Sequence, residues 1–432
     1  MQPRPLASKC VSALVIVAAL FFPCHTLADI GDFILGQNPG DDETYALNAG
    51  DLQEVLHNAY IGYGGKGTFD HTGGELWVSN DAFLGYEATG EGVYEFHTGT
   101  LSVSELRVGW AGVGEFTQYG GDVDIRNKGG FSVGDGVSGD YIMKGGSISS
   151  GDLSQPTSSS SGIRVDHDGL FRLELGDVQL AGSMIITQGG TCEVAGGTLA
   201  AGGNLHVGGQ LLVSAGVLTS GNDFFLGRVR DLMGFPITEE PGVLTLTGGR
   251  VEAADKDFLI SEHSYITDAT AVGTAGTLVA GERFINDSTQ RFLYSTVRTT
   301  VHCDGRPFGG NWAVYAGDVT DKGAVPEGLD DNFAIGTFVL GEGDGGDMAE
   351  FTLSSDMYVY ELQILNDASI DLGGHTIYYL EEGAWHNGIW GGGFTYEGHY
   401  QNGQVVGITP EPATLALLAV GGIALAVAGR RR

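Results

Sequence analysis

The chain has 432 residues, of which 73 are glycine and only 11 proline, and its 54 acidic against 21 basic residues leave a formal charge of −33. Glycine far above its usual share of about 7%, with no G-X-Y period, excludes collagen, and a 42% apolar content rich in Val, Tyr and Phe excludes a disordered glycine linker. The acidic excess lacks the basic footprint that binding to phosphates requires, so no nucleic acid is expected among the partners.

Residues 1–28 carry Arg4 and Lys9, an apolar run from Val11 to Phe22, then Thr26 and Ala28 at −3 and −1 of a small-residue cleavage site. That order predicts a signal helix handled by the secretion machinery and removed after Ala28. Cys24 follows Pro23 and makes a poor lipidation cysteine. Cys192 and Cys303 remain in the mature chain; an exporting compartment permits a bridge between them, and whether they pair is open.

Residues 29–284 repeat. A glycine column runs through Gly50, Gly74, Gly99, Gly121, Gly146, Gly176, Gly197, Gly216, Gly249 and Gly276, at spacings of 19–33 residues. Two residues after each comes an apolar side chain, from Leu52 and Leu76 to Val251 and Leu278. Five before stand Tyr45, Phe69, Tyr94, Phe116, Tyr141, Phe171, Cys192, Leu211, Leu244 and Ala271. Seven before is Gly in the eight inner turns, Gly67 to Gly242, whereas the first turn has Glu43. The unit G-x-Φ-x-x-x-x-G-x-Φ-x-Φ, often preceded by Φ-G as in Leu84-Gly85, places apolar residues on one face of each short strand and glycine at the corners. Such a period predicts an all-β chain: a parallel β-helix, or β-solenoid, of about ten coils. Cys192 then reads as a buried apolar residue of the repeat.

Irregular spacings mark insertions at Gly151–Gly162 and Arg228–Pro241, expected to bulge from corners. Residues 29–58 are expected to form the first cap. Residues 285–408 lose the glycine column but stay strand-like, as in MYVYELQILNDASIDLGGHTIYYL, and are read as a β-rich continuation or C-terminal cap.

Residues 409–432 hold Pro410-Glu411-Pro412, an apolar stretch read as a transmembrane helix over 413–429, and Arg430, Arg431 and Arg432. Sixteen uninterrupted apolar residues, Ala413 to Ala428, span ~24 Å as a helix, a little short of a ~30 Å hydrocarbon core. The terminal arginines hold that end in the cytoplasm, so the body lies across the membrane. This three-part tail resembles the PEP-CTERM sorting signal. The resemblance implies a Gram-negative envelope, recognition by a transpeptidase-like exosortase and removal of the tail near Pro-Glu-Pro. The glycine-rich repeat is similar to autotransporter-like and pectate-lyase-like solenoids, a resemblance that implies the fold and leaves the activity open.

Chemistry-bearing motifs are sparse. Phosphate-loop, zinc-protease, nucleophile-elbow and CxxC patterns are absent, so no catalytic residue, metal site or cofactor is expected. The outward columns mix acids such as Asp122 and Asp124 with Ser and Thr, with no acids on three consecutive coils. Asp166-His167-Asp168 is the tightest local constellation but sits at a corner. His71 and His97 share an HTG motif yet fall in different columns, one inward. The segment GEGDGGD at 341–347 resembles half of a calcium-binding Gly/Asp repeat, in a single copy that lacks the apolar spacing that should follow. Trp77, Trp110, Trp385 and Trp390 have faces suited to sugar rings. The expected protein is an exported, non-enzymatic component of the cell envelope, surface or extracellular matrix. The alternatives are an extracellular polysaccharide-binding or polysaccharide-degrading β-helix, or an adhesin.

Overall fold

Alternating burial drives the architecture: segments such as Lys66–His71 and Glu91–Phe96 bury every second residue, which fits a strand with one face on a core. The computed structural model describes residues 26–408, apart from residues 152–161, 228, 231–235, 239, 255, 269–274, 306–310, 331, 344–347, 383–384, 387–388 and 391. The chain is all-β and winds in a solenoid-like stack. Each strand pairs in parallel with its counterpart one turn later, as Glu75–Val78, Asp81–Leu84 and Glu91–Phe96 do with Thr100–Val108 and Val113–Gln118. Three ladders result. The first runs from Thr26–Ile30 to Gly393–Tyr396, the second from Phe33–Leu35 to His399–Gln401, and the third opens at Asp42–Leu47. Following the pairings gives fifteen rungs in the first two ladders, or a stack about 70 Å long at ~4.8 Å per rung. The two antiparallel pairs among the described residues are small hairpins, Val229–Arg230 with Pro236–Thr238 and Trp385–His386 with Ile389–Trp390. The first is the insertion expected at Arg228–Pro241; the loop expected at Gly151–Gly162 lies mostly outside the described residues.

All ten column glycines have positive φ, between 69° and 133°. Nine of the ten apolar residues two positions on are buried, from Leu76 to Leu278. Leu52 is the exception. It pairs with Glu75 and is only partly buried, while Gln53 pairs with Leu76 and turns inward, because the first corner holds one residue more than those that follow. Ala271 lies outside the described residues, and the place expected of it beside Leu244 is taken by Ile266, which is fully buried.

The interior of the third ladder is a stack of rings. Phe69 and Tyr94, Tyr94 and Phe116, and Phe116 and Tyr141 lie face to face at 4.8, 4.6 and 4.6 Å. A phenol in an apolar core needs a partner for its hydroxyl, and each tyrosine has one. Tyr45 donates to Gln53 Oε1 at 3.1 Å, and Tyr141 to Gln118 Oε1 at 2.6 Å. Tyr94 stands 2.8 Å from His71 Nδ1, whose Nε2 faces the Gly74 carbonyl at 3.4 Å. A carbonyl only accepts, so Nε2 carries the ring proton and Nδ1 accepts from Tyr94. Beyond Phe171 the column thins to Cys192, Leu211 and Leu244, and the wide residues move to the second ladder as Phe224, Phe258 and Phe284. Both Cys192 and Cys303 are free buried thiols, each pushed up in pKa by burial.

Polar side chains join coils at the corner before the second ladder. Ser183 Oγ accepts from the backbone N–H of Asn204, Asn204 Oδ1 from Asp223, Asp223 Oδ1 from Asp257, and Asp257 Oδ1 from Arg283. Arg283 also donates from Nε to Asp257 at 2.9 Å. Burial raises the pKa of Asp223, and the backbone N–H of Asp257 opposes the shift.

Residues 29–58 already pair as the opening rungs. At inner corners the glycine N–H bonds to the coil before, as Gly62 does to Leu35 O at 3.0 Å. Gly36 has no earlier coil and donates instead to Glu43 Oε2 at 2.9 Å. The next residue in that register is Gly67, whose added Cβ would stand 2.8 Å from Leu35 Cβ and 2.5 Å from Gly62 N, whereas the first coil leaves room for a side chain. Toward the C-terminus, where a continuation or a cap is expected, the strands go on pairing past 284. The third ladder continues through Thr296, Ile335 and Val359 into Thr376–Leu380 and Gln404–Ile408. Several strands there run through the corner without a glycine, as Thr296–Cys303 and Met357–Ile364 do. A loop with a short 3-10 turn, Pro326–Leu329, covers Tyr358 and Tyr378 from outside. Residues 1–25 and 409–432, which hold most of the expected signal helix and the whole expected transmembrane helix, lie outside the described residues. Ala28 lies in the strand Thr26–Ile30. Among the described residues no helix is long and apolar enough to cross a membrane.

Two glycines separate conformational from steric demand. At Gly50, with φ of 88°, a Cβ would meet nothing within 4 Å, so Gly50→Ala is expected to cost about 1–2 kcal/mol for the left-handed backbone alone. At Gly109, with φ of 76°, a Cβ would stand 2.0 Å from the Ser138 carbonyl of the next coil, and Gly109→Ala is expected to lower the melting temperature several-fold more. Equal shifts in thermal denaturation would contradict this account of the corners.

His71 gives a pH signature. Burial lowers its pKa from 6.5 to about 4, so the unfolded chain takes up a proton before the folded one does. Stability is therefore full above pH 6.5 and falls by about 3 kcal/mol as pH drops to 4. His71→Leu strands the Tyr94 hydroxyl and lowers stability at pH 7, yet its urea midpoint should vary less than the parent's between pH 6.5 and 4. An unchanged pH slope would reject this role.

Candidate functional site

The ladders fix where each candidate residue stands. Pro410, Glu411, Pro412 and Arg430–Arg432 lie outside the described residues. On the first ladder, register places Thr100, Asp122, Ser147 and Asp177 in one outward column and Ser102, Asp124, Ser149 and Gln179 in the next. Hydroxyls of adjacent coils engage the acids: Ser147 Oγ donates to Asp122 at 2.5 Å, and Ser102 and Ser149 approach Asp124 at 3.5 and 3.4 Å. These carboxylates join one coil to the next and are not brought against a second acid or a base.

Asp166, His167 and Asp168 turn the corner after Ile163–Val165, beside an open depression of about 410 Å³ lined by His167, Asp168, Gln188 and Gly136. They do not converge. Asp166 is buried, accepts from Thr187 Oγ1 at 2.7 Å and pairs with Arg164, while His167 and Asp168 face solvent. In the half-motif at 341–347, Asp367 receives the backbone N–H groups of Glu342 and Gly343 at 3.1 and 3.0 Å, and residues 344–347 lie outside the described residues.

Two of the four tryptophans present usable faces, and arginines cover them. Arg126 lies 4.5 Å over Trp77, and Arg107 lies 4.1 Å over Trp110. The side chains of Trp385 and Trp390 lie outside the described residues. Sequence reasoning missed a larger aromatic cluster around Trp110. The Φ-G corner is followed by an aromatic in three successive coils, at Tyr63, Tyr86 and Trp110, and these flank Tyr60 and Phe83 on the second ladder. Tyr63 and Tyr86 stack at 5.0 Å, Tyr60 and Phe83 at 5.3 Å, and Tyr60 meets Tyr86 edge-on at 4.7 Å. All but Phe83 are partly exposed, and Arg107 is paired with Glu105 at 2.7 Å beside them. Burial raises the Glu105 pKa and Arg107 opposes the shift.

A second cluster also escaped the sequence. Asp70 and Glu95 are in-register neighbours on the third ladder, and His97 stands at the following corner. Their three ligating atoms lie within 4.8 Å of one another. Asp70 and Glu95 each stand four residues before a column glycine, a spacing that hints at the pairing once the register is known. His71, the other histidine of the HTG motif, points into the core as expected.

Comparison with known proteins bears on the tail alone. No curated protein and no solved structure matches the chain. Residues 409–432 match the family model described as the PEP-CTERM protein-sorting motif, so the chain carries that sorting signal at its C-terminal end.

Proposed function

We propose that the protein is an exported, exosortase-processed structural component of the cell envelope or extracellular matrix, a rigid acidic rod without catalytic activity. The sorting motif at 409–432 supports export and exosortase recognition. The observation that carries the structural reading is the use of the acids along the stack. Asp122, Asp124, Asp166 and Asp257 are each engaged by hydroxyls, guanidinium groups or backbone N–H groups of neighbouring coils, and none faces a partner suited to acid–base work. In this reading the signal helix is removed after Ala28, and the helix at 413–429 holds the tail in the membrane until cleavage near Pro410-Glu411-Pro412. Intact-mass analysis of the protein from cells with the exosortase should give a product starting at Asp29 and lacking 413–428. The same analysis of a Glu411→Ala variant should show the tail retained. A product from parent cells that keeps 413–428 would refute processing.

A second reading, polysaccharide binding, is favoured by the cluster of Tyr60, Tyr63, Tyr86 and Trp110, since partly exposed rings at a corner offer faces to sugars. Retention on a panel of immobilised acidic and neutral polysaccharides, with and without calcium, separates the two. Binding that weakens roughly two- to tenfold in Tyr86→Ala supports this reading; no retention leaves the structural one. Turnover that vanishes in Asp122→Asn or Asp124→Asn would overturn the non-enzymatic assignment.

A further inference from the structure

On the outer face of the third ladder, Asp70 and Glu95 stand directly opposite on adjacent parallel strands. Like charges in that position repel and destabilise the pairing. The rungs on either side supply no relief, being Ala46 before and Thr117 after. Among the described residues, no lysine or arginine forms an ion pair with either carboxylate. The one group that approaches both is the His97 imidazole, with Nε2 3.6 Å from Asp70 Oδ1 and 4.0 Å from Glu95 Oε2.

Three further features point to a ligand between them. Asp70 Oδ1 is shielded from water and accepts no hydrogen bond, and a buried acceptor without a donor calls for an ion or water. The imidazole lies flat on the Tyr119 ring at 4.8 Å and 2°, which fixes the direction of Nε2 toward the two carboxylates. The separations of 3.6 and 4.0 Å are too long for hydrogen bonds. They approach the ~3.4 Å between two ligands of a tetrahedral ion bound at about 2.0–2.2 Å.

We infer that Asp70, Glu95 and His97 form a binding site for a divalent transition metal of the zinc class. One imidazole nitrogen and two carboxylate oxygens are the ligands, and water completes the shell. Calcium is disfavoured, since it takes six to eight oxygen ligands and no imidazole. The ion neutralises the facing carboxylates and ties two consecutive coils together from outside. This site is independent of the structural or polysaccharide reading.

The test is zinc binding to the processed chain at pH 7.5, measured by calorimetry and by competition with a chromophoric chelator. One zinc per chain is expected. His97→Gln, Asp70→Asn and Glu95→Gln should each weaken it at least tenfold, while Glu115→Gln, an exposed acid one strand along, should change it less than twofold. Circular dichroism of each variant shows whether the fold is retained, and the competition assay is read on the folded fraction. The proposal is overturned if zinc fails to saturate at one per chain, if His97→Gln binds as tightly as the parent, or if calcium competes at equal or lower concentration.

Discussion

Parallel pairing of each backbone with the one a turn later is the constraint on which this molecule depends. Any step that keeps three ladders in register must return the chain to the same place every turn, and the corners do that work. At the corner leading into the first ladder the backbone passes through positive φ at every one of the ten column glycines. A side chain there would be strained, and at positions such as Gly99 it would also collide with the backbone of the neighbouring coil. Glycine is abundant because the corner recurs, not because the chain is loose.

Register also turns single residues into columns, and the columns solve problems that one strand cannot. Buried phenols find their acceptors one coil back, at His71 and Gln118. Outward aspartates are separated by serine or threonine rungs, which tempers the repulsion built into a chain of charge −33. Acids also meet across coils at Asp81 and Glu105 and at Glu115 and Asp140, where Arg107 and Arg172 oppose the repulsion; at Asp70 and Glu95 the approaching group is the His97 imidazole, an arrangement that calls for a cation.

Much of the fold was legible because its demands are local. Positive φ selects glycine wherever it occurs, and alternation marks the buried face, so the column from Gly50 to Gly276 and the ring stack from Phe69 to Phe171 could be read directly. Register is not local, and the misreadings follow from that. One extra corner residue moves Leu52 out of the core and Gln53 into it, and an insertion hands the place expected of Ala271 to Ile266. The later coils could be read only as a continuation or a cap because Thr296–Cys303 and Met357–Ile364 pass from one face to the next as continuous strands, leaving no glycine to count. The metal-type cluster hid for a related reason: its three ligands become neighbours only when two coils are laid one on the other.

The last coil ends at Ile408, and the sorting motif starts at the next residue. Whatever grips that segment therefore holds the stack at its tip rather than along its flank. Glu43, which closes the opposite tip, is then carried to the far end of the rod, about 70 Å away.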